Sequence, residues 1–436
     1  MASPLQRVQE TIAATQRRPG PWHICLIVVA VLVALQGAWC VSLLVRHGLG
    51  LTGLNRPVGW GVLITNFVFW VGIAHSGTLI SAILYLFRAR FRTAIYRIAE
   101  AMTVFGLMTA GLFPVIHLGR PWYAYWLIPY PNQRHLWVNF RSPLLWDVVA
   151  VNSYLIVSSI FLTVGLIPDA AALRDATTGW RRRFYSLLAC GWRGTDEEWR
   201  HYTRIYLFFA ALATPLVVSV HSVVSWDFAV SILPGWHATL FPPYFVAGAI
   251  LSGLSLVVVL LIPLRRVLGL HELITEWHFD RLARLVILTS LILTYSYVTE
   301  YALAWRARSA DWDTLHYRAT GDYAVLFWIM ILCNSVLPLL FFARRARRST
   351  PVLLVVCALI NVGMWLERFV IIVTSLAHDR LSFNWGVYRP RLVEYGITAG
   401  AFGWFFIWLL LFVRFLPAVS ISEMKEAAVE VPHDGD

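Results

Sequence analysis

The chain has 436 residues, 58% of them hydrophobic and only 14% charged, with a mean hydropathy of +0.65; a soluble domain carries nearly twice that share of charge. Its formal net charge of +12 does not indicate nucleic-acid binding, because the basic residues sit in short connections between apolar runs, where membrane topology places them. A transmembrane β-barrel is excluded too, since the apolar runs reach the length of about 20 residues that a helix needs to cross hydrocarbon, whereas barrel strands are shorter and alternate in polarity.

Residues 1–22 read as a short cytoplasmic segment. No cleavable leader is expected, because the first apolar run starts near residue 23 and exceeds the 7–15 residues of a signal core. Ten helical spans are expected, at about 23–45, 61–87, 95–117, 143–167, 204–229, 240–263, 282–305, 322–343, 351–376 and 393–416, giving an all-α polytopic membrane protein. Spans two to five (61–229) and six to nine (240–376) read as two four-helix bundles, with the first and last spans peripheral. The outer connection 118–142, rich in aromatics and proline, is expected along the membrane interface. The inner connection 168–203 carries Arg181, Arg182, Arg183 and the acidic run Asp196, Glu197, Glu198. The tail 417–436 is acidic and polar and is expected to be poorly ordered.

An even number of spans leaves both termini on one side. Connections on that side hold roughly twice as many Lys and Arg as the opposite set. The positive-inside rule then puts both termini in the cytoplasm of a cell whose plasma (inner) membrane the chain crosses. The five cysteines, Cys25, Cys40, Cys190, Cys333 and Cys357, are scattered without a CxxC pair. Neither a zinc site nor the ligand set of an iron–sulfur cluster is expected from them.

Ionisable residues inside apolar spans are costly and mark function by default. The third span runs outward to His117. The fourth starts near Asp147, and the fifth ends near Asp227. Counting spans puts all three at the outer face, where they could act as proton acceptors. Blander readings stand beside this: Asp147 and Asp227 could cap helix ends or pair with Arg120 or Arg141, with capping considered above all for Asp147, which follows Ser-Pro near a helix start. His75, His221, Glu300 and the adjacent Glu367 and Arg368 lie deeper and are candidates for a proton path. Adjacent residues point to different faces, so Glu367 and Arg368 are expected to pair with other helices. His75 and His221 could alternatively ligate a b-type haem. The spans place His75 near mid-membrane and His221 nearer the outer end, which fits haem poorly.

The segments NRPVGWGVLITNFVFWVGIAHSGTLI, GLFPVIHLGRPWYAYWLIPYPN, RSPLLWDVVAVNSYL and HSVVSWDFAVSILPGWHATLFPPYF resemble the NrfD/PsrC-type membrane subunits. Within these they are most similar to the ActC subunit of alternative complex III. The resemblance implies two four-helix bundles, no redox centre in the chain, and a site near the outer face for quinol, menaquinol or ubiquinol, as substrate. His117, Asp147 and Asp227 would be its acid/base residues, with Arg120 and Trp122 lining it. Implied partners are an extracytoplasmic iron–sulfur subunit of molybdopterin-enzyme type, haem c subunits, a second NrfD-like membrane subunit and a terminal oxidase. The expected function is quinol oxidation with proton release. Alternatives are a quinone-reducing anchor of a molybdopterin oxidoreductase and a proton-coupled secondary transporter.

Overall fold

A computed structural model describes residues 10–13, 15, 20–128 and 140–430. Most of the expected 1–22 segment, the middle of the 118–142 connection and the end of the tail lie outside the described residues. Among the described residues ten helices are long and apolar enough to cross a membrane. They are α1 (Pro21–His47), α2 (Val62–Leu86), α3 (Tyr96–His117), α4 (Pro143–Asp175), α5 (Asp196–Ala229), α6 (Phe241–Val267), α7 (Glu276–Ala307), α8 (Ala324–Phe342), α9 (Thr350–Ala377) and α10 (Leu392–Phe415). Each overlaps one expected span. The chain is an all-helical polytopic membrane protein.

Local chemistry sets the helix ends. Proline stands in the first turn of α1, α4, α6 and α9, where its fixed φ suits the helix and its missing N–H costs nothing. The acidic run at 196–198 opens α5. Thr195 and Glu198 form a capping box, and the acids lie in the positively polarised first turn. Helices α4, α5 and α7 reach 33, 34 and 32 residues. All three overrun the expected spans at the end that carries the termini.

Packing is graded by depth. Along their most apolar stretches, α2 is 83% and α6 is 78% buried, whereas α1 is only 17% buried and presents most of its surface outward. Helix α2 packs on α3 and α6, α4 on α5, and α6 on α5, α7 and α9. Helix α1 lies along α10. Their backbones approach so closely at Gly37 and Gly400 that a Cβ on either would overlap the other's Cα, the small-residue contact expected where lipid supplies no hydrophobic drive between helices.

The tail corrects its expectation. Residues Ile421–Glu430 form a helix. Its start is docked by hydrogen bonds from the Ser420 and Ser422 side chains and the Ser422 N–H to Asp169 Oδ1 (3.3, 3.0 and 2.9 Å). Glu423 completes the docking by accepting from Arg92 Nη2 through both carboxylate oxygens (2.8 and 2.7 Å). Polarity alone predicts a loose end; buried partners on α4 and before α3 order it.

Candidate functional site

Helix α4 starts at Pro143 after Ser142, whose side chain makes no capping bond. Asp147 therefore stands in the second turn, past the reach of a cap. It is 5% exposed, and both of its carboxyl oxygens are buried with no hydrogen-bond partner among the described residues. The capping reading of Asp147 is overturned: its oxygens accept no backbone N–H. Asp227 lies in the last turn of α5, also with a buried, unpartnered Oδ1. Because α4 and α5 run antiparallel in contact, the start of one meets the end of the other. The two carboxyl groups are therefore brought close enough to act on each other electrostatically. The residues just before them, Trp146 and Trp226, meet edge to face with centroids 5.7 Å apart.

His117 closes α3 at the same end of the molecule. It is half-buried, and its Nδ1 is buried without a partner. Arg120 is exposed, and Trp122, on the short helix Pro121–Leu127, is 57% exposed. Two carboxyls are thus brought close together. His117 shares their end of the bundle without bonding through Nδ1 to either, and Arg120 and Trp122 stand outside the buried group. Such a carboxyl pair can hold a proton between its oxygens and pass it on, and an unpartnered imidazole nitrogen can take another.

Deeper in the bundle, His75 and His221 meet. Their ring centroids lie 4.4 Å apart in an edge-to-face contact, so they share one depth, and the expected offset between them is wrong. Counting residues along two antiparallel spans misjudges how far each is shifted along its axis. Haem is nonetheless unsuited to them. The rings touch, leaving no space for a metal and macrocycle between them, and His75 already lies against backbone oxygens at Val71 (2.9 Å) and Val217 (2.6 Å). Both ring nitrogens of His221 are buried without a partner.

Glu367 and Arg368 reach other helices as expected, and they do one thing more. They pair with each other, Arg368 Nη1 lying 2.9 Å from Glu367 Oε1. The contact is an ion pair at an angle too poor for a hydrogen bond, since both atoms lack one. Arg368 stacks over Phe245 at 4.2 Å, while Tyr297 and Asn334 donate to Glu367 Oε2. Glu300 is held by Arg318 at 3.0 Å, and Arg318 also reaches Thr374, Ser375 and the Gly235 carbonyl. Span counting puts Arg318 in an outer loop, yet it is 2% exposed.

One cluster has no counterpart among the expected sites. Fully buried Arg97 bonds Glu100 (3.1 Å), Asp169 (3.0 Å), Tyr96 and the Gly165 carbonyl. Tyr206 adds a bond to Glu100. The charge pattern groups Arg97 with the cytoplasmic connections. The available signal is Glu100, three residues on, an acid inside an apolar run and one helical turn from an arginine. Among the described residues no group of three or more His, Cys, Asp or Glu side chains is placed to hold a metal.

Comparison with known proteins places this chain in a family. A protein from Halobacterium salinarum, provisionally named as the membrane component of a dimethyl sulfoxide reductase, is 27% identical over 90% of both chains. The Hdr-like menaquinol oxidoreductase integral membrane subunit of Archaeoglobus fulgidus is 24% identical over 54% of this chain and 49% of its own length. A component of the selenate reductase of Mesobacillus selenatarsenatis is 22% identical over 52% of this chain and 54% of its own length. These names support the family and do not single out the ActC protein of alternative complex III. The model of the family described as polysulphide reductase, NrfD, matches residues 50–378, a stretch that contains every candidate residue above, and the chain belongs to that family of multi-pass membrane proteins.

Proposed function

We propose that this chain is the quinone-reactive membrane subunit of a reductase complex, anchoring a catalytic partner of molybdopterin type. The observation that carries the reading is the set of buried polar atoms at one end of the bundle that have no partner among the described residues: both oxygens of Asp147, Asp227 Oδ1 and His117 Nδ1. Orphaned polar atoms at membrane depth are expensive, and a quinol, with two O–H donors on an apolar ring, is a ligand that would supply two of the missing donors. Relatives named for dimethyl sulfoxide and selenate reductases support the reductase setting, and one named for menaquinol supports the substrate class.

The direction follows from electron balance. A partner that reduces an external acceptor draws electrons, so quinol gives up two electrons and two protons here. This reverses the quinone-reducing direction considered for such an anchor. One proton goes to the Asp147–Asp227 pair and the other to His117, while the electrons pass to an iron–sulfur cluster in the partner. Arg120 and Trp122 stand at the entry. The site faces the extracytoplasmic side, with the termini in the cytoplasm. The test is quinol oxidation by the assembled complex carrying Asp147→Asn. Oxidation at the unsubstituted rate refutes the assignment.

A second reading keeps the site and changes the partners: a menaquinol-oxidising complex of alternative complex III type with haem c subunits, favoured by the menaquinol oxidoreductase relative. Metal analysis of the copurified complex separates the two. Molybdenum or tungsten supports the first, and haem c without either supports the second.

A further inference from the structure

At the opposite end of the molecule, the end that carries the termini, a cavity of about 1030 Å³ opens between α2, α5, α7 and the tail helix. Arg88, Arg90 and Arg92 line one wall, and Trp199, Tyr202 and Trp277 contribute to the rest. Arg88 and Arg90 are exposed, whereas Arg92 is only 4% exposed. Its guanidinium lies between the rings of Tyr85 and Tyr96, 4.6 Å from each centroid. Glu423 takes Arg92 Nη2 alone, and Nη1 is buried with no partner among the described residues. The Tyr202 hydroxyl is likewise buried and unpartnered. Glu423 and Glu426 bound the cavity on the tail side, which repels an anion from that wall and leaves the arginine wall to receive it.

The orphaned donors call for acceptor oxygens, and the exposed Arg88 and Arg90 guanidiniums call for negative charge, Arg92 being already paired with Glu423. A phosphate group meets both demands, since the planar guanidinium fork matches its oxygens. The cavity is far larger than a free phosphate and sits where the spans end, at headgroup depth, flanked by the tryptophans that favour that level. Basic pockets between spans at such a face suit anionic lipid headgroups. We propose that this cavity binds the phosphate headgroup of an anionic phospholipid, held by Arg88, Arg90, Arg92 Nη1 and the Tyr202 hydroxyl. The site is separate from the carboxyl pair and independent of any quinol chemistry there.

The experiment uses the full complex, delipidated in a neutral detergent, and follows the thermal unfolding midpoint on adding phosphatidylglycerol, phosphatidylcholine, inorganic phosphate or menaquinone. Phosphatidylglycerol is expected to raise the midpoint by several degrees and the other three to leave it unchanged. The rise is expected to vanish in R88Q/R90Q and to shrink in Y202F. Both are chosen because they leave the Arg92–Glu423 pair in place. An equal rise with phosphatidylcholine, or a full phosphatidylglycerol response in R88Q/R90Q and Y202F, overturns the proposal. An equal rise with inorganic phosphate assigns the cavity to a soluble anion, and one with menaquinone to a quinone; either also overturns it.

Discussion

Asp147 and Asp227 stand close together with no donor to the buried oxygens among the described residues, an arrangement that two separate carboxylates would not keep in a low-dielectric interior. A shared proton, or a ligand that donates, resolves it. Acid–base groups of this kind contribute about 10²- to 10⁴-fold to rate, so Asp147→Asn is expected to lower quinol-linked turnover by about 100-fold or more. Residues that act as a unit are not additive. The Asp147→Asn/Asp227→Asn double variant should therefore fall no further than the worse single one, and steady-state quinol oxidation by all three checks this. A double variant slower by the product of the two single losses would show independent roles. The pair itself was half legible in sequence. Each aspartate stood out as an acid in an apolar run, but the approach of their carboxyls depends on the axial offset of α4 against α5, which residue counting cannot supply.

At the scale of elements, the terminus-bearing ends of α3, α4 and the tail helix are fastened by buried charge. Arg97 is 0% exposed and bonds two carboxylates and a carbonyl. Removing one member of such a set leaves uncompensated charge, at a cost of about 3–5 kcal/mol. Arg97→Met is therefore expected to lower the unfolding midpoint sharply, whereas Arg97→Lys, which keeps the charge and loses the fork, should lower it less. Truncation after Val419 removes the serine bonds to Asp169 and the Glu423 bonds to Arg92. A lower midpoint is expected with quinol oxidation retained, because the carboxyl pair lies at the other end; loss of turnover at full stability would contradict this. Hydropathy found the spans because each apolar run is long. It missed Arg97 and Arg318, because an arginine at a span edge reads the same whether it snorkels to water or turns inward to an acid.

For the whole molecule, glycine contacts bind α1 to α10, and α10 lies on the core through Phe402 and Phe405 against Trp70. Gly400→Leu is expected to force the two helices apart at Gly37 and lower the yield of folded complex from the membrane, while leaving the turnover per folded molecule unchanged; a normal yield would refute the close approach. Composition and hydropathy by themselves determined that this chain spans a membrane ten times as helices, because hydrocarbon allows no other economical way to satisfy the backbone. The long motifs around His75, His117, Asp147 and His221 determined its family. Only the tertiary structure decided which buried polar groups meet: Asp147 with Asp227, His75 with His221, Glu367 with its neighbour Arg368, and the tail with Asp169 and Arg92. The reason is that partner choice depends on helix rotation and axial offset of an ångström or two, set by packing across the bundle and not by any local pattern of residues.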